Sequence, residues 1–167
     1  GMIYRGEAGE ICCRPGAEER MEVCRRLFLQ GNQVNLELLA RLPEEISGNL
    51  NSYEAYGTFY SVLSVHGGRT LEEMLEEGGP HGLKEAAEWM MWILDGLECF
   101  HRQRALHLDI SPDNILMLIN RALLIDYNSV WQMGAEGAER FFFSEKEGYT
   151  APEIRLRQIS QIGPASD

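Results

Sequence analysis

Apolar residues alternate weakly through residues 2–14, with Gly6 and Gly9 among them. This predicts a hairpin, one strand near Ile3-Tyr4-Arg5 and the other near Ile11-Cys12-Cys13-Arg14, broken by Pro15-Gly16. The period then changes. Met21, Cys24, Leu27 and Phe28 recur at helical spacing across 17–30. Gly31-Asn32 is expected to interrupt that helix, and a second one is expected from Val34 to Leu42, stopped by Pro43. Residues 44–52 read as a loop, and Tyr53–Tyr56 and Thr58–Val65 as a strand pair turning at Gly57.

After the linker His66-Gly67-Gly68-Arg69 the pattern becomes mainly helical. Thr70-Leu71-Glu72-Glu73 is a capping box: the Thr70 hydroxyl accepts from the third helical N–H while Glu73 reaches back. A short helix to about Glu77 follows, ended by Gly78-Gly79-Pro80. From Leu83 to Gln103, Ala86, Met90, Ile93, Leu97 and Phe100 form a stripe that Trp89, Leu94 and His101 widen, so this helix is expected to be mostly buried. Two short strands, Ile115–Leu118 and Ala122–Ile125, follow, then a Gly- and Glu-rich segment without period.

Composition narrows the possibilities. A chain of 167 residues, 44% hydrophobic, suits one folded domain. Its net charge of −11 argues against nucleic acid and anionic membrane surfaces, which need a basic footprint. No apolar run approaches the ~18 residues of a membrane-spanning helix. No secretory signal is expected, and Gly1-Met2 reads as a cloning scar. Cys12, Cys13, Cys24 and Cys99 fit neither a zinc site nor a disulfide framework, and reduced thiols in the cytoplasm are expected.

The chemistry-bearing stretch is His107-Leu108-Asp109-Ile110-Ser111-Pro112-Asp113-Asn114-Ile115-Leu116. Further on, Leu123-Leu124-Ile125 runs into Asp126-Tyr127-Asn128, and later still comes Gly148-Tyr149-Thr150-Ala151-Pro152-Glu153. These elements resemble those of protein kinases, and the phosphoryl transfer that this resemblance implies needs a positioned nucleophile and cations around the transferred group. Asp109 is a candidate to orient an acceptor hydroxyl and take its proton. The amide oxygen of Asn114 and the carboxylate of Asp126 are candidate ligands for Mg²⁺, which prefers oxygen.

These three elements, in this order, resemble the protein kinase set of catalytic loop, metal motif and Ala-Pro-Glu segment end. His-x-Asp-Ile-Ser-Pro-Asp-Asn-Ile, with Lys146-Glu147-Gly148-Tyr149-Thr150-Ala151-Pro152-Glu153, looks most like bacterial serine/threonine kinases of the Firmicutes type. The resemblance implies an α+β fold of two lobes, a small sheet-rich lobe over residues 1–65 and a helical lobe over 66–167. It implies ATP and Mg²⁺ as cofactors, with Leu63 as gatekeeper, the Ser64 carbonyl and His66 N–H facing adenine, and Leu116 beneath the ring. It also places Asp167 at the buried Asp that opens the family's next long helix, and gives Glu153 an Arg partner beyond that point. The chain is therefore expected to be an excised or degenerate domain, itself inactive, with an unpartnered Glu153. Apolar surface left bare on the helical lobe is expected to favour self-association.

Several positions depart from the family. Arg14 stands for the Lys that holds the α- and β-phosphates, and Asn35 for its Glu partner. Arg keeps the charge but not the shape. At most the last glycine of the phosphate-covering loop survives, as Gly1. Leu108 replaces the Arg that reads a phosphorylated activation segment, so control through Ser129, Ser144 or Thr150 is not expected. Ser111 replaces the Lys that neutralises the γ-phosphate, Tyr127 fills the Phe position near His107, and Asn128 stands for a turn glycine, tolerating left-handed backbone. One reading is thus a kinase acting on Ser or Thr of a protein substrate. Another is a pseudokinase with little or no turnover, acting as a nucleotide-binding module or as a regulator of a partner protein. A third, a small-molecule phosphotransferase of the aminoglycoside or choline type, is disfavoured by Pro152-Glu153.

Overall fold

The computed structural model describes residues 2–41, 48–64, 66–79, 81–134 and 145–167. Gly1, Leu42, Pro43, Val65, Pro80 and Ser144 lie outside them, so the glycine, helix-stop, hinge and phosphorylation expectations placed there are not described. The class is α+β, as expected. Strands β1 (Ile3–Arg5) and β2 (Ile11–Cys13) form the antiparallel hairpin, Ile3 opposite Cys13. Helix α1 (Glu18–Arg41) follows, then β3 (Asn49–Ala55) and β4 (Thr58–Leu63), an antiparallel pair with Ala55 opposite Thr58. Its two-residue turn puts Tyr56 at φ 50° and Gly57 at φ 72°, the left-handed pair that matches strand twist. The Ile11 N–H donates to the Tyr56 carbonyl at 2.6 Å, tying the first hairpin to this turn.

The second half begins with β5 (Arg69–Thr70) and α2 (Leu71–Gly78), whose capping box forms as predicted. The Thr70 hydroxyl accepts from the Glu73 N–H at 3.2 Å, and Glu73 accepts from the Thr70 N–H at 2.9 Å. Helix α3 (Leu83–Arg102) leads into β6 (Ala105–Leu106), β7 (Ile115–Met117), β8 (Ala122–Leu124), β9 (Trp131–Gln132) and the short α4 (Pro152–Arg155). β5, β7 and β8 make a three-stranded antiparallel sheet, while β6 pairs with β9, a strand the sequence pattern did not suggest. None of the helices among the described residues is long and apolar enough to cross a membrane. All four cysteines are free.

Three sequence expectations need correction. Strand β3 begins at Asn49, inside the stretch read as a loop, because the Asn49 N–H and side chain are both engaged by α1. Helix α3 is buried on one face only. Trp89, Ile93, Leu97 and Phe100 face the core, whereas Leu83, Met90, Met91 and Leu94 are exposed.

The third correction is that α1 is one helix, running straight through Gly31-Asn32. Glycine in a helix interior costs about 1 kcal/mol relative to alanine. Val34 and Leu38, buried one and two turns later, contribute about 1.5–3 kcal/mol each, so docking outweighs the break. Asn32, whose amide could unwind the turn, instead donates to the Phe28 carbonyl at 2.8 Å. Gly31 is a packing requirement: a Cβ there would lie 2.1 Å from the Tyr127 carbonyl oxygen.

The principal core joins Val34 and Leu38 of α1 to Trp89, Ile93, Leu97 and Phe100 of α3 and to Ile115, Met117 and Leu124 of the central sheet. A second core, Leu106, Leu108, Trp131, Ile154 and Ile162, lies beneath the loop before β7. Gly31→Ala should therefore destabilise the protein by about 1–3 kcal/mol through overpacking, measured by denaturant unfolding. A gain of about 1 kcal/mol, as helix propensity alone would give, would contradict the close approach to Tyr127.

Candidate active site

The start of the loop between β6 and β7 is held by one buried carboxylate. Asp167, whose side chain is wholly buried, accepts from the backbone N–H of Leu108 at 2.7 Å and of His107 at 3.1 Å. His101 of α3 reaches the same carboxylate with Nε2 at 2.8 Å. Leu108 sits at φ +60°, a left-handed conformation that costs a non-glycine residue about 1–2 kcal/mol. Hydrogen bonds to a charged group are worth about 1.5–3 kcal/mol each, so two outweigh the strain. Leu108 is buried in the second core, which turns the following Asp109 away from that core. The buried Asp expected at 167 is thus present and partnered.

His107 is fully buried beneath this loop. Its ring packs edge-on to Phe100 at 5.5 Å and tilted to Tyr127 at 5.8 Å, and Phe100 stacks on Tyr127 at 5.4 Å. Tyr127 therefore does fill the aromatic position near His107, and its hydroxyl donates to the Leu124 carbonyl at 3.0 Å. The His107 Nε2 lies 3.2 Å from the Ile125 carbonyl. A carbonyl only accepts, so Nε2 carries the proton, and Nδ1 has no hydrogen-bond partner among the described residues.

The strand register brings the candidate ligands together. Ile115 lies opposite Leu124, so the next residues outward, Asn114 and Ile125, leave the sheet at one edge. The Ile125 N–H donates to the Asn114 carbonyl at 3.0 Å, and Asp126 follows directly. The Asn114 side-chain amide donates to the Asp109 carbonyl at 2.9 Å, which commits its nitrogen to the loop. Asp126 takes the left-handed conformation at φ +62°, and its Oδ1 accepts from the Asn128 N–H at 3.1 Å. The left-handed residue of this turn is thus Asp126 and not Asn128, and Tyr127–Ser129 closes as a short 3₁₀ turn. An amide oxygen and a carboxylate are hard donors. They fit a cation such as Mg²⁺, which keeps its remaining positions for water and phosphate.

Beside Asp126 opens a cavity of about 380 Å³, lined by Phe28, Asn32 and Asn35 of α1, by Asn49, Ser61 and Leu63 of the β3–β4 pair, and by the Ile125–Asn128 turn. Its polar wall is an amide network. The Asn35 Oδ1 accepts from the Asn49 N–H at 2.6 Å, and the Asn32 Oδ1 accepts from the side chains of Asn49 and Ser61. Leu63 thus stands at the cavity with Asp126. Ser64 and His66 lie where the chain leaves β4, the Ser64 hydroxyl 2.9 Å from the His66 ring and 3.1 Å from the Gly48 carbonyl. Leu116, half-buried in β7 opposite Leu123 and Thr70, is within 3.4 Å of a Cβ built on Gly68, so it lies under the linker. Arg14 is exposed just past β2, its N–H donating to the Met2 carbonyl at 2.9 Å. Arg14 does not line this cavity, whereas Asn35 does and is bonded there to the Asn49 N–H.

One residue was given no role by the sequence pattern. The Lys146 ammonium lies 3.3 Å from Asp109 Oδ1, 2.7 Å from Asp113 Oδ2 and 2.8 Å from the Ser111 hydroxyl. That hydroxyl in turn donates to Asp113 Oδ1 at 2.6 Å. Hydrogen bonds from Lys146 and Ser111 hold the Asp113 carboxyl below its ordinary value. Burial would lower the Lys146 ammonium, but Asp113 and Asp109 outweigh it and the net direction is upward. The signal available in the sequence was the pairing of Ser111, where the resemblance implies a lysine, with a lysine at 146 in the segment that ends in Ala151-Pro152-Glu153. Glu153 is not left unpartnered, because the Ser166 hydroxyl donates to it and holds its carboxyl below the ordinary value.

Residues 35–167 match the family model described as protein kinase domain. The chain is 29% identical over 110 residues to smooth muscle myosin light chain kinase of Gallus gallus, covering 63% of this chain and 6% of that protein. It is 26% identical over 128 residues to the calcium/calmodulin-dependent protein kinase cmkA of Emericella nidulans, covering 74% and 31%. It is 24% identical over 159 residues to mitogen-activated protein kinase kinase kinase 8 of Rattus norvegicus, covering 93% and 34%. The chain thus spans about a third or less of the length of these relatives. Its fold matches a solved structure described as the apo form of PpkA-294, with a TM-score of 0.60 at 23% identity, covering 77% of this chain and 46% of that one.

Burial holds the His107 ring below its ordinary value, and the carboxylates of Asp167 and Asp109 offset this only in part. The folded ring stays neutral where the unfolded ring gains a proton. The unfolded state then binds more protons, so this contribution to stability falls as pH drops through the unfolded value of about 6.5. Melting temperatures between about pH 7.5 and about pH 5.5 should decline less steeply in His107→Gln than in wild type. Parallel profiles would show that His107 is not the group responsible.

Proposed function

The chain belongs to the protein kinase domain family, and from that premise we propose that its site takes ATP with Mg²⁺ and transfers the γ-phosphoryl group to Ser or Thr of a protein substrate in the complete protein. The observation that carries this reading is the convergence of Asp109, Asn114 and Asp126 on one edge of the β7–β8 ladder. Asp109, positioned by the Leu108 turn, orients the acceptor hydroxyl and takes its proton. Asn114 and Asp126 hold the metal, which when bound neutralises phosphate charge. Leu63, Ser64, His66 and Leu116 form the adenine side, and Arg14 approaches the phosphates only if the first hairpin moves relative to its present place. The lobe boundary at 65/66 belongs to this reading.

A second reading, a regulatory module with little turnover, is favoured by one observation. Asn35, at the position of the family's ion-pairing Glu, is committed to the Asn49 N–H. A single experiment separates the two. Ligand that binds only the folded state raises stability by RT ln(1 + [L]/Kd), about 2.7 kcal/mol at a hundredfold excess over Kd. ATP with Mg²⁺ should raise the melting temperature of the full-length protein. Radiolabelled transfer should fall by about 10²–10⁴ in Asp109→Asn. A thermal shift without transfer supports the regulatory module. No shift at millimolar ATP contradicts the first reading and leaves a regulatory module that acts without nucleotide.

A further inference from the structure

Asp109 and Asp113 place two negative charges where an anionic phosphoryl group must arrive. Such a site repels its substrate unless a cation stands beside them. Among the described residues the ion pairs of both carboxylates are made by Lys146. Its approach is fixed at both ends. The Lys146 N–H donates to the Thr150 hydroxyl at 2.7 Å, and the Thr150 N–H donates back to the Lys146 carbonyl at 3.0 Å. At the far end the ammonium donates to Ser111 and Asp113. The side chain is 29% exposed, so the ammonium is partly desolvated yet reachable from solvent. A groove of about 390 Å³ opens on it, lined also by Ser111, Asp113 and Tyr149.

We propose that Lys146 is a catalytic residue, the cation that contacts the phosphoryl group in transit, delivered from the segment before Ala151-Pro152-Glu153 because the loop carries Ser111 where a lysine would otherwise serve. The proposal rests on the kinase reading above. An acceptor oxygen within hydrogen-bond reach of Asp109 lies beside the Lys146 ammonium, which is 3.3 Å from Asp109 Oδ1. In the step, the acceptor oxygen forms a bond to the γ-phosphorus of ATP. The bond from that phosphorus to the β–γ bridging oxygen breaks, and ADP leaves with its electron pair. The acceptor proton passes to the Asp109 carboxylate. As the phosphoryl group passes between the two oxygens, Lys146 exchanges its contact with Asp109 for one with a phosphoryl oxygen. Asp113 and Ser111 keep the ammonium in place throughout. Thr150 acts through Lys146 and is a positioning residue.

The test compares two affinities in the full-length protein: ADP with Mg²⁺, and the same mixture with aluminium fluoride, which mimics the phosphoryl group in transit. In Lys146→Met the fluoride-dependent gain in affinity should fall by about 10²–10³, with a matching fall in kcat and no change in ADP affinity. Lys146→Arg should keep part of the gain. The double variant Ser111→Lys with Lys146→Thr, which returns the ammonium from the loop side, should recover most of it. An undiminished gain in Lys146→Met, or equal weakening of the ADP and fluoride complexes, would overturn the proposal while leaving the kinase reading intact. A higher kcat in Lys146→Met would overturn it too, as the mark of an inhibitory contact on Asp109. Failure of wild type to bind ADP with Mg²⁺ at all would overturn both.

Discussion

The Asp167 carboxylate, accepting from the backbone of His107 and Leu108, is the interaction on which the site depends. It holds a leucine in left-handed backbone, and that conformation sends Leu108 into the second core while Asp109 turns toward Asn114 and Lys146. Without it the loop has two buried N–H groups to satisfy and a strained residue to relax. The same carboxylate receives His101, so α3 is tied to the loop as well. One buried charge thereby couples the longest helix of the second half, the loop, and the turn at the end of the chain.

A second constraint joins the two halves. Gly31 allows α1 to lie against the Tyr127 carbonyl, and Tyr127 stacks on Phe100 beside His107. Any shift of α1 therefore reaches Asp126 through a neighbouring residue of the same short turn. The amide network of Asn32, Asn35 and Asn49 fixes α1 to β3 from the other side. In this chain the buried contacts of α1 to β3 are neutral hydrogen bonds, while the Arg25–Glu54 ion pair at 3.4 Å lies on the exposed side.

Much of this was legible in the sequence because the signals were local. The capping box at Thr70-Glu73, the first hairpin and the span of α3 follow from turn chemistry and apolar period. Asp109, Asn114 and Asp126 stood out in the sequence because their order and spacing resemble the kinase motifs, which no local propensity would have shown. The errors came where tertiary contacts override local preference. Gly31-Asn32 reads as a break until the Tyr127 carbonyl is seen against it. Strand β3 hides in polar residues because its first asparagine is claimed by α1. Lys146 lies 33 residues from Asp113 and 35 from Ser111, a separation across which no periodicity operates. The outer face of α3 misled for the opposite reason, since Met90, Met91 and Leu94 carry a core pattern yet are exposed.

The account stands most directly on the claim that Asp167 fixes the loop that presents Asp109. Amide hydrogen exchange, resolved at His107 and Leu108, measures this. The account predicts strong protection at both amides in wild type, lost in Asp167→Ala while the amide of Phe100 in α3 keeps its protection. Equal protection of His107 and Leu108 in the two proteins would contradict it.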